Sequence, residues 1–260
     1  SGPSARAYLA AGTLAARQAL AARGETIGRI GFYVLLLAIF SRLWAVALAS
    51  QPLDGFAARD MLWYLAVTEW VVVGTPWAHL DVERDVRSGD LAYLLARPTD
   101  YVGMRAAEAL GAMAARMLTL APAGAIAATW LAGGLPTQPA MLGLAAIAAV
   151  LGAAVLALAT VGIGLTAVVV TDVAPLYWIW QKATFVLGGL LLPITCYPDW
   201  LQAIARWTPF AGAVYRPARL VLGADAAAVG LALGGAAAWL LVAWFAVAGI
   251  GRLALRRLDA

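Results

Sequence analysis

The sequence is poor in the side chains on which most catalytic and metal sites depend. It has one cysteine, Cys196, and one histidine, His79, in 260 residues. A single cysteine excludes an internal disulfide, and these two residues cannot supply the four ligands of a structural zinc site. The Gly-x-Ser-x-Gly and His-Glu-x-x-His motifs are also missing, so we expect no metal, no catalytic residues and no enzyme activity.

A phosphate-binding loop is missing as well. The lysine of a P-loop follows a glycine in a glycine-rich turn, whereas the single lysine here, Lys182, follows Gln181. We therefore expect this chain to bind no cofactor of its own. If it moves a solute uphill, a partner must hydrolyse the ATP.

Charged residues are scarce. They make up 12% of the chain, against 63% hydrophobic residues, whereas about a quarter of the residues in soluble domains are charged. This composition predicts one all-α membrane domain over residues 1–260. The pI near 9.5 does not indicate nucleic acid, because the arginines lie scattered at the ends of apolar segments, where anionic lipid headgroups are the better partner.

Six apolar segments are near the length of about 20 residues that a bilayer core requires. They cover residues 30–50, 60–80, 103–131, 140–170, 176–192 and 227–250. Residues 1–29 predict an interfacial helix on the cytoplasmic leaflet, with a solvated tail as the alternative. Residues 193–210 predict an outer re-entrant segment with a short amphipathic helix between Pro198 and Pro209; a plain extracellular loop is the alternative.

The arginines predict the orientation of these six spans. If the N-terminus is cytoplasmic, eleven arginines lie inside: Arg6, Arg17, Arg23, Arg29, Arg84, Arg87, Arg97, Arg105, Arg252, Arg256 and Arg257. Only Arg59, Arg206, Arg216 and Arg219 then lie outside. The positive-inside rule therefore favours six spans with both termini in the cytoplasm.

The longest charged segment covers residues 81–101 and must lie in water, because its acids and arginines are too costly to place in lipid. After Gly89, Leu91, Leu94 and Leu95 form one apolar stripe on a short helix that Pro98 ends. An apolar stripe of this kind is unfavourable in water unless other side chains bury it. The periodicity is equally compatible with packing on the chain's own surface and packing on a partner.

Two stretches carry recognisable motifs. The first is Arg-Ser-Gly-Asp-Leu-Ala-Tyr-Leu-Leu-Ala-Arg-Pro at residues 87–98, and the second covers residues 192–210, followed by Tyr215, Pro217 and Gly223. They resemble the first cytoplasmic loop and the outer re-entrant segment of ABC type-2 exporter permeases, in particular of bacterial drug exporters that work beside a separate ATPase. The resemblance implies a permease in the bacterial cytoplasmic membrane that exports a small hydrophobic or cationic compound or a lipid.

The resemblance also implies partners. One is a cytoplasmic ATPase that holds ATP and Mg, and the other is a second permease chain, identical or paralogous. The helix at 88–97 would press into the ATPase. The residues implied in this coupling are Arg87, Gly89, Asp90, Leu91, Leu94, Leu95 and Arg97.

Four ionisable residues fall within the predicted spans: Arg42, Glu69, Glu108 and Arg116. Arg42 and Glu69 lie at similar depths, about 12–14 Å from the outer end of their spans, which predicts an ion pair. Alternatively, Glu69 faces the translocation path and attracts cationic cargo. The candidate residues for this path are Glu69, Trp70, Arg42, Glu108 and Arg116. Glu108 and Arg116 are two turns apart, so each is expected to contact another helix.

Two other classes of protein are compatible with these features. A membrane-embedded lipid-modifying enzyme could use Glu69, Glu108 or Asp172 as acid or base, although no acid and nucleophile are clustered on one loop. An energy-independent channel or scaffold would not need the leucine-faced helix. Copurification of an ATPase distinguishes an exporter from both.

Overall fold

The computed structural model describes residues 5–50, 57–95 and 99–256, and within these ranges it contains helices and no strand. The α-helices are α1 (Ala5–Ala21), α2 (Arg23–Ser50), α3 (Ala58–Gly74), α4 (Ala78–Ser88), α5 (Asp90–Leu95), α6 (Tyr101–Ala132), α7 (Leu142–Leu165), α8 (Ala174–Leu187), α9 (Asp199–Arg206), α10 (Arg216–Arg219) and α11 (Ala226–Arg256). A π-helix, Ala211–Tyr215, leads directly into α10. The all-α prediction is confirmed.

Four helical segments are long and apolar enough to cross a membrane, namely residues 23–49, 101–132, 139–168 and 226–254. The chain is therefore a multi-pass membrane protein. The other two predicted spans correspond to α3 and α8, which have 17 and 14 residues. At 1.5 Å per residue they extend about 26 and 21 Å, less than a bilayer core of about 30 Å. Six complete spans stay a prediction.

The C-terminal ends predicted for the second and fifth spans, Leu80 and Leu192, lie beyond the ends of the helices in the structure. Helix α3 ends at Gly74 because Thr75 precedes Pro76 and adopts the extended backbone that this position favours. Helix α8 ends at Leu187, and Gly189 then turns the chain with a φ of +63°. That value lies in the left-handed region that glycine tolerates best.

The predicted N-terminal helix is shorter than residues 1–29. It ends at Ala21, and residues 23–29 belong to α2 instead. Helix α1 crosses α6 so closely that a Cβ atom on Gly111 would lie 2.0 Å from the carbonyl oxygen of Gly12. Leu9 remains 72% exposed on α1. The location of α1 on the cytoplasmic leaflet stays a prediction.

Helix α3 forms the centre of the fold, since Tyr64 and Leu65 are both 0% exposed. Helices α2, α6 and α7 pack around it. Polar side chains fasten α3 through backbone carbonyls: Tyr33 of α2 donates to Ala66 at 2.6 Å, and Trp63 donates to Gly134 at 3.0 Å. Such bonds suit an apolar surrounding because each satisfies a buried donor.

The predicted helix near the outer re-entrant segment is present as α9, between Pro198 and Pro209. Trp200, Ile204 and Trp207 are 66%, 52% and 85% exposed. An apolar face of this size suits contact with lipid or another chain. Insertion of this segment into the outer leaflet stays a prediction.

The contact between α7 and the π-helix yields a stability prediction. A Cβ atom on Gly152 would lie 2.0 Å from the carbonyl oxygen of Ala213, so Gly152→Val should force the two backbones apart and cost about 1–3 kcal/mol. Thermal unfolding in detergent measures the effect. Gly143→Val is the matched control, because nothing lies within 4 Å of its Cβ position. Equal stability of the two variants would contradict this packing.

Candidate functional site

The charged segment folds into two helices, α4 and α5, which we call the α4–α5 unit. Sequence reasoning missed α4, although His79, Val82 and Val86 recur at helical spacing among its charges. His79 and Val82 are 3% and 0% exposed. A Cβ atom on Gly164 of α7 would lie 2.7 Å from the Val82 Cβ, so α4 packs directly on the end of α7.

Gly89, Ser88 and Asp90 form the turn between the two helices. Gly89 has a φ of +80°, in the left-handed region, and its N–H donates to the Val86 carbonyl at 3.4 Å. Ser88 donates to the Asp90 carboxylate at 2.8 Å and accepts from the Asp90 N–H at 3.4 Å. These bonds fix the start of α5 relative to α4.

The leucine stripe is less exposed than the sequence suggested. Leu91 is 4% exposed and packs in a cluster with Val82 and Tyr101. Leu94 and Leu95 are half-buried against the same cluster. The large side chain that α5 exposes is Tyr93, at 69%. The chain thus covers much of the stripe itself, and sequence reasoning missed Tyr93 because it lies outside the leucine periodicity.

An ion pair fastens the α4–α5 unit to α6. Asp85 is 8% exposed and accepts from the Arg105 Nε at 2.8 Å. The Tyr101 hydroxyl donates to the same carboxylate oxygen. Arg105 also pairs with Glu108 at 2.7 Å. Arg105 neutralises the buried Asp85 carboxylate and the Tyr101 hydroxyl solvates it further, whereas Asp85 without Arg105 would be a buried, unpaired charge.

Two further contacts join α4 to the segment before α8 and to α8 itself. Arg87 pairs with Glu83 at 2.6 Å and donates to the carbonyl of Thr171. His79 stacks on Tyr177 of α8 with ring centroids 3.8 Å apart. Burial lowers the pKa of His79 to about 4, against the opposing effect of Asp81, so the stacked imidazole is neutral at pH 7. The remaining coupling candidate, Arg97, lies outside the described residues.

A cavity of about 450 Å³ lies between α2, α3, α7 and α8. We call it the Glu69 cavity, because Glu69 is the one charged side chain among the described residues that line it. Glu69 is 5% exposed and forms none of the ion pairs found in the described ranges. The aromatic residues of the lining are Phe32, Phe40, Trp77, Tyr177, Trp180 and Phe185. The cavity therefore combines one acid with apolar, π-rich walls.

The predicted Arg42–Glu69 pair is absent from the described residues, so this expectation was wrong. Arg42 is exposed, whereas Glu69 is buried. Trp70 also points away from the Glu69 cavity and donates to the carbonyl of Met117 on α6 at 2.9 Å. The prediction used only the similar depths of the two residues in neighbouring spans, and depth does not specify which faces of two helices point at each other.

The other two candidates lie in a polar groove between α1, α4 and α6. Arg116 contacts another helix as predicted, since it pairs with Glu25 of α2 at 3.2 Å. Glu108 does not, because its partner Arg105 lies three residues earlier on α6. Both are thus neutralised at this groove, and neither lines the Glu69 cavity.

The apolar helices, the central α3 and the charged α4–α5 unit define a helical, multi-pass membrane protein. A family model described as "ABC-2 family transporter protein" matches residues 30–259, which is most of the chain. The chain belongs to this family, as the resemblance of its two motifs implied, and it is a membrane transport component. Membrane subunits of this family generally work with ATPase partners. A comparison with curated proteins found no match.

The Asp85–Arg105 contact yields a second stability prediction. Asp85→Asn should lower the free energy of unfolding by about 2 kcal/mol, because it removes a charge-assisted hydrogen-bond acceptor. Thermal unfolding in detergent measures the change. Asp81→Asn is the matched control, since Asp81 is 57% exposed in its pair with Arg84 and such pairs contribute little. Equal effects of the two substitutions would show that the buried pair does not fasten α4.

Proposed function

We propose that this chain is the permease subunit of an ATP-driven exporter that moves a small hydrophobic or cationic compound out of a bacterial cell. The observation that carries the proposal is the α4–α5 unit. It is charged, it lies between α3 and α6 in the chain, and it is tied to α6, α7 and α8 at once. A loop that only connected two spans would not need these three attachments.

The exposed face of α5 is the part of the unit that a partner can reach. Tyr93 is 69% exposed and lies beside the half-buried Leu94 and Leu95. Aromatic side chains with apolar neighbours frequently dominate binding at protein interfaces. The partner is an ATPase, because the chain lacks a P-loop of its own and its family generally works with ATPases.

Movement of the ATPase would reach the Glu69 cavity through α4. The stacking of His79 on Tyr177 links α4 to α8, and Tyr177 lines the cavity. Helix α3, which carries Glu69, is joined to α4 by only three residues, 75–77. A push on the α4–α5 unit would therefore shift two walls of the cavity together. The second permease chain, identical or paralogous, completes the path.

The Glu69 cavity supports cationic cargo. Its volume of about 450 Å³ lies within the range of about 300–1,000 Å³ that is usual for small-molecule sites. A buried carboxylate without an ion-pair partner favours a cation, and aromatic faces attract cations further. Flat or globular organic cations with an apolar body fit both properties.

The alternative of a lipid-modifying enzyme is less well supported, because its three candidate acids lie apart in different surroundings. Glu69 lines the cavity, Glu108 pairs with Arg105, and Asp172 accepts from the N–H of Ala174 at the start of α8. Acid–base catalysis needs such groups within reach of one substrate. Copurification of an ATPase with the permease distinguishes the proposed exporter from an energy-independent channel.

Tyr93→Ala should weaken ATPase copurification from membranes by about fivefold or more, as expected for an interface aromatic. Thermal unfolding of the variant, measured in parallel, separates a loss of copurification from a loss of folding. Trp207→Ala is the matched control: Trp207 is 85% exposed but lies beyond α9, on the side predicted to be outside. Undiminished copurification with Tyr93→Ala, or no ATPase with wild type, would reject the coupling surface.

Glu69→Gln should reduce binding of tetraphenylphosphonium to the purified permease by about tenfold or more, because it removes the charge that the described lining of the cavity carries. Equilibrium dialysis measures the affinity. Tetraphenylborate, which has a similar shape and the opposite charge, should bind wild type weakly, and Glu108→Gln is the control acid. Equal binding of the two ions by wild type would reject the cationic assignment even if the ATPase is confirmed.

A further inference from the structure

A second cavity, of about 320 Å³, lies where α9, the π-helix, α10 and α11 meet. Arg206, Arg216 and Arg219 line it together with Thr195 and Tyr215. We call it the arginine cavity. Among the described residues, no aspartate or glutamate lines it, and the three arginines take part in none of the ion pairs found there.

One of the three guanidinium groups is fixed in place. Arg216 is half-buried, and it donates to the carbonyl of Arg206 at 3.0 Å and to that of Leu231 at 3.4 Å. A Cβ atom on Gly235 of α11 would lie 2.5 Å from the Arg216 Nη1. Because residue 235 is a glycine, there is room beside α11 for the Arg216 guanidinium. The two hydrogen bonds then hold the Arg216 side chain at the cavity wall.

The other two arginines are exposed and extend the same positive surface. Arg206 donates to the Gln202 side chain at 2.5 Å, a neutral partner. Asp225, an acid near this end of α11, accepts from the N–H of Ala228 at 2.8 Å and does not line the cavity. Three like charges around one space repel each other unless an anion lies between them.

We infer that the arginine cavity binds a phosphate-type anion, supplied either by the headgroup of an anionic phospholipid or by a soluble phosphate ester. The planar fork of each guanidinium matches the oxygen atoms of phosphate, and arginine binds phosphate through two donors at once. The Tyr215 hydroxyl at the wall is one further polar group. This site is separate from the Glu69 cavity and requires neither cargo nor ATPase.

Native mass spectrometry of the purified permease tests the lipid source with dioleoyl-phosphatidylglycerol and dioleoyl-phosphatidylcholine, which share their acyl chains. Wild type should bind phosphatidylglycerol at least about tenfold more tightly. Arg219→Gln should remove most of this preference, and it should fold, because no hydrogen bond of Arg219 is found in the described structure. Arg59→Gln is the control, since Arg59 is exposed and predicted to lie on the same side.

Thermal unfolding with added glycerol 3-phosphate tests the soluble source. Protection of wild type but not of Arg219→Gln assigns the site to phosphate esters in general, whereas a preference seen only with phosphatidylglycerol assigns it to lipid headgroups. The inference is overturned if wild type shows neither effect, or if Arg219→Gln and Arg59→Gln behave alike. None of these results depends on an ATPase.

Discussion

The contact between Asp85 and Arg105 holds together the two parts of this molecule that prefer different surroundings. The α4 helix is charged and cannot enter lipid, whereas α6 runs through the apolar body of the protein. A carboxylate at the boundary, neutralised by a guanidinium and a phenol, allows α4 to pack inward without an unpaired charge. The position of α5 and the packing of His79 against α8 follow from that placement.

Glycine at backbone contacts is the second determinant of the arrangement. Glycine has no side chain, so it allows two backbones to approach closely, both inside the membrane and outside it. Gly12 with Gly111, Gly152 with Ala213, and Gly164 with α4 bring backbones close enough to exclude any side chain between them. These contacts position α1, the π-helix and the α4–α5 unit around the longer helices.

Hydropathy was sufficient to predict an all-α membrane protein, and the spacing of Leu91, Leu94 and Leu95 was sufficient to predict the short helix after Gly89. Longer-range relations were not predictable from one sequence. The many charged residues of α4 obscured its helical periodicity. Glu108 pairs with Arg105 on its own helix rather than with a residue of another helix, and this choice depends on how the helices are rotated about their axes. The apolar walls around Glu69 come from four helices, so no local pattern marked the cavity.

The shortness of α8 has a consequence for the bilayer itself. A helix of 14 residues spans about 21 Å, and the chain then turns at Gly188 and Gly189. If α8 crosses the membrane, as the sequence predicts, lipids beside such a short helix must compress or tilt to match it, which thins the membrane locally. Beside a spanning α8, the insulating layer that a charged solute has to cross would therefore be thinner than elsewhere in the membrane.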